Sequence, residues 1–102
     1  GWEISNLMPL EKSGKPALNS SSLEVYNAEK ILSASGYELD KPDMTLDIKT
    51  FNAIKKFQQE QRLYPSGILD FTTQDAMNQK RQELINRYDQ QYAQAVEYLQ
   101  GR

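Results

Sequence analysis

Two short stretches, Leu46–Ile54 (LDIKTFNAI) and Leu69–Met77 (LDFTTQDAM), follow one pattern: Leu-Asp-x-x-Thr-x-x-Ala and then an aliphatic residue. In the first copy Asp47 stands just before a run in which Phe51, Ala53, Ile54 and Phe57 recur at helical spacing. An aspartate there can accept the unpaired amide hydrogens of the first helical turn and oppose the positive end of the helix. Thr50 sits three residues in, placed to return a hydrogen bond toward the cap, and Ala53 is small enough to admit a neighbouring element. Asp70, Thr73 and Ala76 repeat these parts in the second copy. The pattern therefore predicts two capped helices that enter one core in equivalent ways.

Outward from this pair, Ser21-Ser22-Leu23-Glu24 has the Ser-x-x-Glu form of a capping box and predicts a first helix from around Ser21. Val25, Ala28, Ile31 and Leu32 supply its apolar stripe, and Gly36 ends it. Pro42 makes the following segment, Tyr37–Asp43, a loop. Between the two copies, Pro65, Ser66 and Gly67 break the chain with turn chemistry. The last helix is expected to begin near Phe71 and run long, because Ile85, Tyr88, Tyr92, Ala95 and Leu99 continue as a heptad-like seam. Such a seam needs a cover: the N-terminal segment, another chain or another domain. Residues 1–22 lack periodicity and read as an extended lead-in, yet Trp2, Ile4, Leu7, Met8 and Leu10 are apolar enough to hold it against the folded body, with Trp2 as the candidate anchor.

A chain of 102 residues forms one domain with one modest core. Twelve Lys and Arg against 14 Asp and Glu leave a net charge of -2, which removes any general attraction to nucleic acid. Cysteine and histidine are both absent, so disulfides, thiolate nucleophiles, the usual zinc sites and Ser-His or Cys-His catalysis are excluded together. The five glycines are scattered singly, and no phosphate-binding loop is present. No cofactor, no metal site and no catalytic residues are expected. No apolar window reaches the length of a membrane span, and no signal-peptide pattern is visible. The start at Gly1 rather than Met reads as an added residue or a processed end, so a secretion signal or anchor is expected to have been removed.

The stretch Ala28–Met77 resembles the peptidoglycan-binding-domain family, a small three-helix module of bacterial cell-wall hydrolases and spore proteins. Leu32, Gly36 and Tyr37 match its Leu-x-x-x-Gly-Tyr; Asp43 and Thr50 match the first Asp-Gly-x-x-Gly-x-x-Thr; Ala53, Ile54, Phe57 and Gln58 match Ala-Val-x-x-Phe-Gln; Leu63, Gly67 and Thr73 continue the pattern. The family's glycines are replaced by Met44 and Asp47 in the first loop, Ser66 stands where a second Asp is usual, and Asp70 replaces a later Gly. The resemblance implies an all-α, three-helix bundle with an internal pseudo-repeat at residues 23–80, preceded by an ordered N-terminal lead-in (1–22) and followed by an extension of the last helix (81–102). It also implies a non-catalytic module that binds bacterial peptidoglycan, by glycan or stem peptide, outside the cytoplasm in periplasm, wall or medium, and orients an envelope protein or wall enzyme.

Tyr37, Asp43, Gln58, Arg62 and Tyr64 are the expected ligand-binding residues. Tyr37, Asp43, Gln58 and Arg62 have plainer readings as well. Tyr37 can stack on a sugar or simply close a small core. Asp43, Asp47 and Asp70 can be imagined as a glycosidase acid and base, though caps and turns account for all three. Lys55, Lys56 and Arg62 can meet stem-peptide carboxylates or form a solvated face, and Gln58, Gln59 and Gln61 can reach N-acetyl groups or sit idle on the surface. Phe57 completes the core stripe. The rival reading keeps the fold but makes the chain a protein-interaction or assembly module, self-associating or holding a protein partner through the tyrosine-bearing last helix (Tyr88, Tyr92, Tyr98).

Overall fold

The computed structural model describes the backbone of residues 7–99 and the side chains of residues 7–89; Trp2, Ile4 and the side chains of Tyr92, Ala95, Tyr98 and Leu99 lie outside the described residues. Three helices follow one another: α1 (Leu23–Ala34), α2 (Ile48–Glu60) and α3 (Phe71–Leu99). The described residues hold no strand, only an isolated antiparallel bridge between Ser21 and Thr45, and the fold is all-α.

Asp47 caps α2, its Oδ1 accepting the Thr50 amide at 2.9 Å, and Asp70 caps α3 in the same way through the Thr73 amide at 2.9 Å. Both repeat copies thus begin helices, because a short acceptor at that position satisfies a donor the helix itself cannot. At α1 the expected capping box is displaced by one residue. Ser22, not Ser21, is the cap, and its Oγ accepts from the Val25 amide at 3.4 Å. The shift puts Glu24 at the second helical position, where it cannot reach back to the cap. It is buried instead, and its carboxylate turns to the lead-in, accepting the amides of Glu11 (3.0 Å) and Ser13 (3.0 Å).

Val25, Ala28, Ile31 and Leu32 of α1 meet Ala53, Ile54 and Phe57 of α2 and Met77 and Leu84 of α3 in one core, which Leu46 and Leu69 enter from the loops. Among the described residues Leu84 is the last core side chain on α3. It lies two turns beyond Met77 on the same face, so it takes the inward place expected of Ile85, which is half-buried, while Tyr88 is exposed.

The lead-in forms a strap across the bundle. Leu7 and Leu10 are core residues, and the strap backbone is tied to α3 at several points. Asn78 clamps Leu10 from both sides, its Oδ1 accepting the amide (2.8 Å) and its Nδ2 donating to the carbonyl (2.9 Å). Arg81 Nε donates to the Leu7 carbonyl at 3.0 Å, and Gln74 Nε2 to the Gly14 carbonyl at 2.7 Å. The first leucine of each repeat copy also donates its amide to the lead-in: Leu46 to the Ser20 carbonyl and Leu69 to the Pro16 carbonyl, both at 2.9 Å.

Candidate functional site

The two loops that lead into α2 and α3 are each held by a polar clasp from the preceding helix. In the first, Glu29 of α1 accepts the Asp43 amide on Oε1 (2.8 Å) and the Thr50 hydroxyl on Oε2 (2.7 Å). In the second, Gln58 of α2 accepts the Gly67 amide on Oε1 (2.9 Å), and its Nε2 donates to Thr73 Oγ1 (2.9 Å) and the Ile68 carbonyl (3.1 Å). The repeat-copy threonines therefore bond the preceding helix through their hydroxyls rather than returning to their caps. Burial makes this preferable: Glu29 and Gln58 are buried, and a buried polar group left without a partner is costly.

The substitutions noted against the family pattern fit these clasps. Asp43 Oδ1 accepts the Thr45 amide (3.0 Å), and Ser66 Oγ accepts the Ile68 amide (3.1 Å), the same two-residue turn with a different acceptor. Gly67 has φ +79, and a Cβ there would fall 2.2 Å from Cε1 of the Phe51 ring. Its counterpart Met44 does not adopt positive φ, and its side chain projects to solvent. Burial raises the Glu29 pKa above the ordinary carboxylate range, with the Asp43 and Asp47 carboxylates adding to the rise and the Asp43 amide and Thr50 hydroxyl opposing it.

On the other side of α2 lies an open groove of about 510 Å³. Its first wall comes from the end of α1. Gly36, at φ +100, lets the chain reverse, the Gly36 amide bonding the Ser33 carbonyl (3.1 Å) and the Tyr37 amide the Leu32 carbonyl (3.0 Å). That closure lays Tyr37 edge-on against Phe57, with centroids 6.3 Å apart at 71°. The Tyr37 hydroxyl donates to Glu60 Oε1. Burial and that carboxylate hold the Tyr37 pKa far above the usual phenol range, so the ring stays neutral and fixed in orientation.

The groove floor is α2 itself. Lys49, Asn52, Ala53, Lys56 and Glu60 recur on one face, with Ala53 as the low point, and Lys80 of α3 closes the far side. Lys49 is tied to Asp40 at 3.1 Å, a bond that raises its pKa, and Lys80 stands 3.9 Å from Glu83. The side chains of Asn52 and Lys56 have no hydrogen-bond or ion-pair partner among the described residues. The site thus offers an aromatic edge, a free amide and a free ammonium around a shallow apolar floor, which suits an uncharged or acidic ligand with small apolar groups.

Of the five residues singled out from sequence, Tyr37 alone lines this groove. Asp43 is exposed on the first loop, with its carboxylate engaged by Thr45. Gln58 is fully buried, its amide occupied by the second loop, so it is an interior residue and not a surface glutamine. Arg62, at φ 62, and Tyr64, 85% exposed, lie on the α2–α3 connection. Lys55 Nζ stands over the Phe51 ring, 5.4 Å from its centroid, and is not part of the groove that its neighbour Lys56 lines. Asn52, Lys49 and Lys80 went unread in the sequence. The first two were accessible from their helical spacing about Ala53, whereas Lys80 depends on how α3 packs.

Among the described residues no three His, Cys, Asp or Glu side chains gather as a metal site, and no helix is long and apolar enough to cross a membrane. A family model described as a putative peptidoglycan binding domain matches residues 21–77, more than half of the chain. The matched span runs from the α1 cap through the first turns of α3 and contains both clasps and every groove residue except Lys80. No curated protein matches the chain.

Proposed function

The chain belongs to the putative peptidoglycan binding domain family, and from that membership we propose that it is a non-catalytic module that holds bacterial cell-wall peptidoglycan in the groove between Tyr37 and Lys80. The observation that carries this reading is the pairing of Asn52 and Lys56, both without partners, beside the fixed Tyr37 ring. In that arrangement the Tyr37 edge and Ala53 floor accept the methyl groups and apolar faces of an N-acetyl sugar or lactyl-peptide. The Asn52 amide meets an acetamido or peptide group, and Lys56 meets a stem-peptide carboxylate. Arg62 and Tyr64 offer outlying contacts to a polymer long enough to pass the α2–α3 connection, and Asp43 does so at the first loop. Gln58 contributes by shaping the second loop from within.

A non-catalytic role is supported by the use of the carboxylates: Asp47 and Asp70 are caps, Asp43 forms a turn, and Glu60 accepts from Tyr37. A module of this kind acts outside the cytoplasm, where the wall polymer is, and orients an envelope protein or wall enzyme whose chemistry lies in another domain.

Sedimentation with purified sacculi tests the reading. The wild-type chain is expected in the pellet, with retention reduced about tenfold by Lys56→Glu and severalfold by Tyr37→Ala, each loss on the order of one lost charge-assisted or aromatic contact. Arg62→Ala should change it little. A chain that stays in the supernatant, or variants that pellet like the wild type, would overturn the groove assignment; a supernatant species larger than a monomer would favour the assembly module.

A further inference from the structure

The strap is held in the manner of a bound peptide. Residues 7–16 contribute no helix or strand, and the body reads them through their backbone. Asn78 takes both polar groups of Leu10, Glu24 takes two amides, and Gln74 and Arg81 take one carbonyl each. Of its side chains, Leu7, Leu10 and Pro16 are buried. The exposed Lys12–Asp75 pair, at 2.8 Å, and Lys15 over the Phe71 ring, at 5.0 Å, complete the contact. The link from strap to α1 is short: a turn in which the Ser20 amide bonds the Ala17 carbonyl (2.9 Å) and Asn19 takes φ 73, beside a second left-handed residue within the strap, Lys12 at φ 57.

From this arrangement we propose that the strap is exchangeable, and that the cleft beneath it takes residues 7–16 from a second copy of the chain to form a reciprocally exchanged dimer. Every contact between residues 7–16 and the body is kept when the strap comes from a neighbour, because both partners carry the same strap and cleft. The closed monomer and the exchanged dimer then differ in the Ala17–Ser20 link, where the Ser20 amide bonds the Ala17 carbonyl (2.9 Å), the Ala17 amide Ser20 Oγ (3.2 Å) and the Asn19 amide the Leu46 carbonyl (2.8 Å), and in mass action. Tethering holds the strap at an effective concentration in the millimolar range, so the monomer prevails in dilute solution and exchange emerges as chain concentration approaches that range. The inference is independent of what the groove beside Tyr37 holds.

Complementation tests it. One full-length chain carries Leu7→Asp and Leu10→Asp, which spoil the strap and leave the cleft. The other carries Glu24→Ala and Asn78→Ala, which spoil the cleft and leave the strap. Mixed at about millimolar concentration, they have one intact strap and cleft between them only across two chains, so native mass spectrometry should show a heterodimer roughly tenfold in excess of either homodimer. If a variant alone is unfolded, mixing should restore its helical circular dichroism; a mixture that gives neither heterodimer nor recovery overturns the proposal. Hydrogen exchange on the wild-type chain gives an independent check. The Glu11 and Ser13 amides should exchange at least about tenfold faster than those in the middle of α2, through opening of the strap alone. Equal rates would mean that the strap leaves only when the whole body unfolds, and would also overturn it.

Discussion

At the level of single residues, the two clasps differ in one atom type, a carboxylate oxygen at Glu29 against an amide nitrogen at Gln58. Because Gln58 satisfies an amide and a threonine hydroxyl without charge, Glu29→Gln should keep the bond from the Asp43 amide and reverse the one to Thr50, its Nε2 donating to Oγ1 as Gln58 does to Thr73, without the cost of burying a carboxylate. The Glu29 pKa is higher in the folded chain than in the unfolded one, so its contribution to stability is fully present below the unfolded pKa and is lost as pH rises through the folded value. Glu29→Gln is therefore expected to raise the melting temperature at pH 7 and to remove that part of the pH dependence, as thermal melts across pH 4 to 8 would show. Gln58→Leu should cost about 1–3 kcal/mol in chemical denaturation, since it strands the buried Gly67 amide. Gly67→Ala, strained at φ +79 and crowding Phe51, should cost about 1–3 kcal/mol. The aspartate caps could be read from sequence because each acts on an amide three residues away. The threonine partners could not, because Glu29 lies 21 positions from Thr50 and only the packing of α1 on α2 brings them together.

At the level of elements, each helix start depends on one side chain, and Asp47→Ala or Asp70→Ala should each cost about 0.5–2 kcal/mol in denaturant titrations. The three helices and their order were legible, since apolar spacing and turn residues are local signals. Registers were less so. Three consecutive serines, Ser20 to Ser22, left the α1 cap ambiguous by one position, and that single step sends Glu24 to the strap instead of to the helix end. On α3 the adjacent Leu84 and Ile85 both fit an apolar stripe, and packing decides for Leu84. The strap itself, unmarked by any periodicity, was visible only as leucines in a polar lead-in. Asn78→Ala should loosen it, lowering stability by about 1–3 kcal/mol and raising hydrogen exchange at Leu10 first.

Across the whole molecule, a net charge of -2 coexists with a groove that draws three lysines from two helices. Glu38 and Glu60 share that lining, and Lys49 and Lys80 are paired with Asp40 and Glu83, which leaves Lys56, of the three, as the cation open to a ligand. Tyr37 could be singled out beforehand and Asn52 was accessible from its spacing about Ala53, but Lys80 could not be, since it enters the groove only through the way α3 packs. An acidic ligand held there should bind more weakly as salt rises, with the dependence reduced in Lys56→Glu, a difference that binding assays from low to physiological ionic strength would resolve. The paired clasps have one more consequence. Since one is ionisable and the other is not, while both grip a loop amide at nearly the same distance, the protein contains its own blank: in an NMR acid titration the Asp43 amide resonance should show a step above the ordinary carboxylate range, clear of groups that titrate within it, where Glu29 takes up its proton, while the Gly67 amide shows no such step.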